Sequence, residues 1–105
     1  MDVSKKDWKL FCEKISGWQE RYMERLEDEY IKLLSDKEKS AADRFWELYN
    51  LMHLDKKNPG VFLQSRKSEL DLIILRLLRN DVITFEELDE FSDELKETIK
   101  VYLRE

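Results

Sequence analysis

Residues 8–34, WKLFCEKISGWQERYMERLEDEYIKLL, decide the fold of this chain. Apolar side chains recur every three or four residues along the whole stretch, which is the period of an α-helix with one apolar face. Gly17 interrupts the stretch and indicates either a bend or the close approach of another helix. The spacing predicts a helix over about residues 5–34, whose apolar stripe consists of Trp8, Phe11, Cys12, Ile15, Trp18, Tyr22, Leu26, Tyr30, Leu33 and Leu34.

The composition of the whole chain fits an all-α fold. Its 105 residues include only two Gly and one Pro, and 41% of the side chains are charged. Leu, Glu and Lys lose little conformational freedom in a helix, whereas an all-β fold needs many more turn residues. The length suits one helical domain that spans residues 1–105.

A second and a third helix are predicted after the first. Residues 35–38, Ser-Asp-Lys-Glu, have the pattern of a capping box, which starts a helix over about residues 36–54. The turn at residues 58–60, Asn-Pro-Gly, predicts a positive φ at Gly60. A helix over about residues 65–79 is apolar nearly all round and is therefore expected at the buried centre. The inward face of the second helix is predicted to consist of Ala41, Phe45, Leu48, Tyr49 and Met52.

A fourth helix closes the predicted fold. Residues 84–87, Thr-Phe-Glu-Glu, form a second capping-box pattern and start a helix over about residues 85–104. Ser92 and Asp93 are a possible division within it. The sequence therefore predicts an all-α, four-helix bundle-like domain with one long N-terminal helix and three shorter ones.

The lengths of these helices differ in a way that bears on function. A first helix of about 30 residues is about 45 Å long, whereas the third and fourth span about 22–30 Å. Either two short elements pack along the long helix in series, or part of its aromatic face meets another chain. We expect the second arrangement, a homodimer.

The predicted function follows from this surplus of apolar surface. Trp46 and Leu51 also lie outside the inward stripe of their helix, so they need cover of their own. The sequence predicts a non-catalytic protein-protein interaction or regulatory module that self-associates through an aromatic-rich helix face. Its partner other than itself is not specified, and its candidate interface residues are Trp8, Phe11, Trp18, Tyr22, Trp46 and Leu51.

A basic region offers an alternative function. Seven cations cluster around the second helix and the following loop, and with Trp46 they suggest a nucleic-acid-associated regulator. Acidic neighbours dilute the cluster, and the chain as a whole carries a net charge of −5, which repels phosphate. Nucleic acid is therefore the disfavoured partner. The candidate patch consists of Lys37, Lys39, Arg44, Lys56, Lys57, Arg66 and Lys67.

The sequence offers no convincing catalytic, cofactor-binding or metal site. His53 and Cys12 are the only residues of their kinds, so they cannot form a Cys/His metal site or a nucleophile-base pair of the usual kind. Cys12 is expected to be buried in the apolar stripe. No apolar run approaches the about 18 residues that a membrane span requires. We therefore expect a cytoplasmic protein that is not an enzyme and uses no cofactor.

Overall fold

The structure, a computed structural model, describes residues 2–105. Within this range the chain forms helices and no strand. The predicted all-α fold, with four helices and a long first one, is confirmed. Two short 3-10 helices, Lys67–Glu69 and Phe85–Leu88, precede the third and fourth of the α-helices, which are α1 (Lys5–Ser35), α2 (Ala41–Asp55), α3 (Leu70–Arg79) and α4 (Asp93–Leu103).

The start of α2 corrects the predicted boundary. α1 continues through Ser35, so the capping box predicted at that residue does not form. The cap of α2 is Ser40 instead, whose Oγ accepts a 3.1 Å hydrogen bond from the backbone N–H of Asp43. Residues 36–40 form the connecting loop, where the Asp36 carboxylate accepts a bond from the N–H of Glu38. Ser35 and Ser40 are each followed three residues later by an acid, so the sequence pattern alone allows the helix to start after either one.

The start of the last helix agrees with the second capping box. The Thr84 N–H donates to the Glu87 carboxylate at 2.7 Å, and the box opens the 3-10 helix at residues 85–88. α4 begins after Ser92, whose Oγ accepts a 3.2 Å bond from the N–H of Leu95. The helix predicted over residues 85–104 is therefore divided at Ser92 and Asp93.

One hydrophobic core joins the N-terminal half of α1 to α3, to the 3-10 helix at residues 85–88 and to α4. The rings of Trp18 and Phe91 lie 6.3 Å apart and link α1 to the segment before α4. α3 supplies a third of the core residues, which confirms its predicted central place, although Leu72 is exposed. The core consists of Phe11, Trp18, Leu70, Ile73, Ile74, Leu77, Val82, Ile83, Leu88, Phe91, Leu95 and Ile99.

Two buried carboxylates hold these helices in register. Asp7 of α1 accepts hydrogen bonds from the backbone N–H and the hydroxyl of Ser92, at 2.9 and 2.5 Å. Asp71 of α3 accepts a 2.6 Å bond from the hydroxyl of Tyr102 on α4. That bond, together with burial, raises the pKa of Tyr102. A buried carboxylate needs hydrogen-bond donors, so these bonds favour the one arrangement of the two helices in which the donors reach it.

Arginines of α1 hold the connection between α3 and α4. Arg21 donates to the Val82 carbonyl at 3.1 Å and pairs with Glu87 at 2.5 Å, and Arg25 donates to the Asp81 carbonyl. Burial tends to raise the pKa of Glu87, but the bonds from Arg21 and Thr84 outweigh it and lower that pKa. The carboxylate of Glu87 therefore serves the capping box and the ion pair together.

The C-terminus of α3 ends in a left-handed residue. Asp81 has φ 57°, its N–H donates to the Leu78 carbonyl, and the N–H of Val82 donates to the Leu77 carbonyl. This pair of bonds is the Schellman motif, in which glycine is the favoured residue at the position of Asp81. A carboxylate at a helix C-terminus also lies at the negative end of the helix dipole.

We predict that Asp81→Gly raises the free energy of unfolding by about 0.5–1 kcal/mol, because glycine adopts this φ without strain. Asp81→Ala is the matched control and should lower stability by about 1 kcal/mol, since alanine lacks the tolerance of aspartate for this conformation. Urea unfolding of the wild type and the two variants measures the order of their stabilities. An alanine variant as stable as the glycine variant would contradict the assignment of strain to Asp81.

The turn at residues 58–60 packs against α1. Gln19 donates to the Pro59 carbonyl at 3.0 Å, and the Asn58 side chain accepts the N–H of Gly60 at 2.8 Å. The predicted positive φ at Gly60 is wrong. Gly60 is required for another reason: a Cβ there would lie 2.6 Å from Cγ of Tyr22 and nearer still to Cδ1.

The C-terminal half of α1 and all of α2 form an antiparallel hairpin at the side of this core. The described chain measures 52 × 28 × 20 Å, and a helix of 31 residues accounts for most of its length. α3 and α4 cover the first half of α1 and α2 covers the second, so short elements do pack along the long helix in series. Gly17 marks no close approach, because nothing lies within 4 Å of the position its Cβ would take.

Candidate protein-interaction surface

The two helices of the hairpin meet along a narrow seam. Leu26 is buried in it and Leu48 is half-buried. The Tyr30 hydroxyl donates to the Asp55 carboxylate at 2.5 Å near the base of the hairpin, and Arg44 donates to the Leu34 carbonyl at 2.7 Å near its tip. Burial, followed by the bond to Asp55, raises the pKa of Tyr30, because both favour the protonated phenol. The hairpin is thus fixed at both ends.

The seam leaves most of the apolar surface of α2 uncovered. α2 has no buried residue, and the exposed fractions of Phe45, Trp46, Tyr49 and Met52 lie between 51% and 62%. The predicted inward orientation of Ala41, Phe45, Tyr49 and Met52 is therefore wrong, and only Leu48 of that predicted face is half-buried. A single neighbouring helix covers only a narrow strip of α2, and neither α3 nor α4 lies over the remainder.

These residues share a side of the hairpin with two residues of α1. Phe45, Tyr49 and Met52 follow the i, i+4, i+7 spacing of one helix stripe. Ile31 and Leu34, both exposed, follow Glu27 at that spacing on α1, and Glu27 and Met52 line the same groove. We define the hairpin face by its exposed apolar residues, which are Ile31, Leu34, Phe45, Trp46, Tyr49 and Met52.

The groove beside the hairpin face is a cavity of about 270 Å³. Its walls are mainly apolar, and Tyr30 and Asp55 supply a polar group at one edge. Its volume suits one large apolar side chain rather than a drug-sized ligand. The groove is lined by Met23, Leu26, Glu27, Tyr30, Met52, Asp55, Lys56 and Val61.

The aromatic rings of α2 contact one another along the helix. The ring centroids of Phe45 and Trp46 are 5.2 Å apart, and those of Trp46 and Tyr49 are 5.8 Å apart, both edge to face. His53 stacks on Tyr49 at 6.3 Å. Pairs of this kind restrict the side chains before anything binds, which lowers the entropy lost when a partner orders them.

Charged residues of α2 lie on the other side of the helix. At about 100° per residue, Asp43 and Glu47 point away from the stripe of Phe45, Tyr49 and Met52. They line a separate shallow surface with Leu51 and Leu54, where Lys39 pairs with Glu47 at 2.5 Å. The stripe of Phe45, Tyr49 and Met52 is therefore apolar and aromatic, and Asp55 lies at its C-terminal end, at the edge of the groove.

The structure separates the six predicted interface residues into three groups. Phe11 and Trp18 belong to the hydrophobic core of the chain, so their prediction as interface residues is corrected. Trp8 and Tyr22 are half-buried against the same core. Only Trp46 and Leu51 are exposed, and they lie on different sides of α2. The aromatic pattern of α1 described a core rather than an external interface, because α3 and α4 cover it.

The predicted basic patch does not form one surface. Lys39 is engaged with Glu47 and Arg44 with the Leu34 carbonyl. Lys37 lies before α2, whereas Lys56 follows it, so a helix of 15 residues and about 22 Å separates them. Lys57 and Arg66 line a polar groove with Glu69 and Arg76, and Lys67 is exposed nearby. Nucleic-acid binding by this region stays a prediction.

The remaining reactive side chains lie apart from one another. Cys12 is exposed, so the prediction of a buried cysteine is corrected. Across residues 2–105, no three His, Cys, Asp or Glu side chains are placed to hold a metal ion together. Within the same range, no helix combines the length and the apolar composition needed to cross a membrane.

Comparison with known proteins adds no assignment. No protein-family model matches the chain, and neither curated proteins nor solved structures provide a match. The proposals that follow therefore depend on the geometry and chemistry of the hairpin.

Proposed function

We propose that this protein is a non-catalytic interaction module that binds another polypeptide through the hairpin face. The observation that carries the proposal is that α2 buries none of its own residues, although four of its large apolar side chains lie close together. Monomeric proteins rarely expose contiguous apolar patches above a few hundred Å², and large ones mark interaction sites. Aromatic enrichment and a lack of charge are also the composition of an interface centre.

The shape of the surface favours a helix as the bound element. The stripes on α1 and α2 run side by side, and the groove lies at their end beside Met52, which suits the apolar face of an amphipathic helix. We expect Trp46 and Tyr49 to contribute most of the binding free energy, since buried aromatic anchors dominate interfaces. The groove beside Tyr30 takes one apolar side chain of the bound helix. A cytoplasmic location is part of the proposal, because the exposed Cys12 stays reduced there.

The proposal is tested by comparing two variants that change the two sides of α2. Trp46→Ala removes an anchor of the hairpin face, and Leu54→Ala removes an equally exposed side chain that lies opposite the stripe of Phe45, Tyr49 and Met52. Purified proteins are immobilised, and binding of both the free chain and lysate proteins is quantified. We expect Trp46→Ala to lose the bound protein and Leu54→Ala to keep it. Binding that both variants retain, or that neither wild type nor variant shows, contradicts the proposal.

A further inference from the structure

The hairpin has the form of half a four-helix bundle. Two antiparallel helices protect one seam, whereas a bundle core requires a second layer of helices over the exposed face. We propose that the second layer is the hairpin of a second copy of this chain, in a two-fold symmetric dimer with the two α2 helices antiparallel. This inference rests on the proposed function and names its partner.

The size of the face is close to what a stable dimer needs. The six residues of the hairpin face are 44–62% exposed, and three of them are aromatic. With ordinary side-chain areas they present about 700 Å² per copy, against about 800 Å² per partner in a stable interface of standard size. The polar residues around the face supply the remaining interface area. No additional protein is required to cover it.

The order of side chains along α2 fits a copy of itself in the antiparallel direction. The N-terminal end carries the small Ala41 and Ala42, and the C-terminal end carries the large Met52 and His53. An antiparallel pairing centred near Leu48 sets the alanines of one copy against the bulky end of the other. A parallel pairing leaves a gap at one end and crowds the other. Two-fold symmetry requires this reciprocal relation between residues i and j.

The charge distribution removes the main obstacle to self-association. The chain has a net charge of −5, so two copies repel one another at long range. Contact through α2 nevertheless brings no two carboxylates together. Asp43 and Glu47 point away from the stripe, and an antiparallel pairing centred near Leu48 sets Asp55 against Ala41 of the other copy. Like charges brought together at an interface cost several kcal/mol.

The first test is the concentration dependence of mass. Sedimentation of the purified chain from about 1 to 500 μM should show a monomer-dimer equilibrium. Trp46→Ala removes one anchor from each copy and should weaken dimerisation at least about 30-fold. Leu54→Ala is the matched control and should leave the equilibrium unchanged. A wild type that is monomeric throughout, or a dimer indifferent to Trp46→Ala, overturns the inference.

The second test determines the direction of the helices. In a Cys12→Ser background, copies carrying Ala42→Cys are mixed with copies carrying His53→Cys under mild oxidation. The antiparallel arrangement predicts a disulfide between the two kinds of copy and little between identical ones. In that arrangement the positions 42 of two identical copies lie about 16 Å apart along the helices, beyond the reach of a disulfide. Efficient cross-linking of Ala42→Cys to itself, or none in the mixture, overturns the antiparallel arrangement.

These outcomes separate the inference from the proposed function. A chain that stays monomeric but loses a captured protein on Trp46→Ala shows that the face binds a different partner, so the dimer is wrong and the interaction module stands. A chain that neither dimerises nor binds protein through Trp46 contradicts both.

Discussion

Replacing Asp7 by alanine is expected to lower the free energy of unfolding by about 3 kcal/mol. The carboxylate is 3% exposed and accepts two hydrogen bonds from Ser92, whose hydroxyl also caps α4. Bonds to a charged group contribute about 1.5–3 kcal/mol, and the freed N–H of Ser92 loses its partner in a region with little water. The same residue lies in the first turn of α1, where a negative charge is favourable.

Thermal unfolding measures this effect as a fall in melting temperature of more than about 10 °C. Glu13→Ala, an exposed acid on α1, is the matched control and should change stability by less than about 0.5 kcal/mol. The loss of stability in Asp7→Asn should lie between those of Asp7→Ala and Glu13→Ala, since an amide accepts only one of the bonds through its oxygen. Combining Asp7→Ala with Ser92→Ala should cost less than the sum of the single changes. Strict additivity contradicts the direct coupling of α1 to the cap of α4.

Replacing Gly60 by alanine is expected to destabilise the protein by about 2–3 kcal/mol. The backbone at Gly60 suits any residue, so an added methyl group by itself stabilises slightly by restricting the unfolded chain. The contact with Tyr22 outweighs this gain and makes the substitution destabilising. The new Cβ would lie 2.6 Å from Cγ of the ring, closer than carbon atoms approach. The turn is held by Gln19 and cannot move away without breaking its bond to Pro59.

The other glycine provides the control for this prediction. At Gly17 nothing lies within 4 Å of an added Cβ, and the residue is inside a helix, so Gly17→Ala should stabilise by about 0.5–1 kcal/mol. In urea unfolding we expect Gly17→Ala to raise the free energy of unfolding and Gly60→Ala to lower it. Introducing Tyr22→Ala together with Gly60→Ala should relieve most of the additional loss. Equal effects at the two glycines contradict the role assigned to the Tyr22 contact.

The fold was predictable to the extent that it depends on local pattern. The apolar spacing of α1 and the Thr84–Glu87 capping box both depend on residues within a few positions of one another, and both are confirmed. The start of α2 could not be predicted in this way, because Ser35 and Ser40 are equally good caps by sequence. The choice between them depends on how far α1 continues, and α1 continues through Ser35.

The interaction surface was predictable only in part, for a different reason. Periodicity identifies which side of a helix is apolar but does not identify what covers it. Trp18 and Tyr49 have the same character in the sequence, yet α3 and α4 cover the first and nothing covers the second. The surplus of apolar surface inferred from the length of α1 was wrong, because α3, α4 and α2 cover most of its stripe, and the exposed apolar surface lies mainly on α2. Trp46 was found because it lies off the expected inward stripe.

The absence of buried residues in α2 has a consequence for how the chain loses structure. Opening α2 removes no side chain from the core of α1, α3 and α4, so it requires far less free energy than global unfolding. Amide hydrogens of α2 should therefore exchange through a local opening while those of α3 await complete unfolding. A bound partner covers the same residues and stabilises the closed hairpin. Binding of a partner to the face should therefore slow amide hydrogen exchange and increase resistance to proteolysis across residues 36–55.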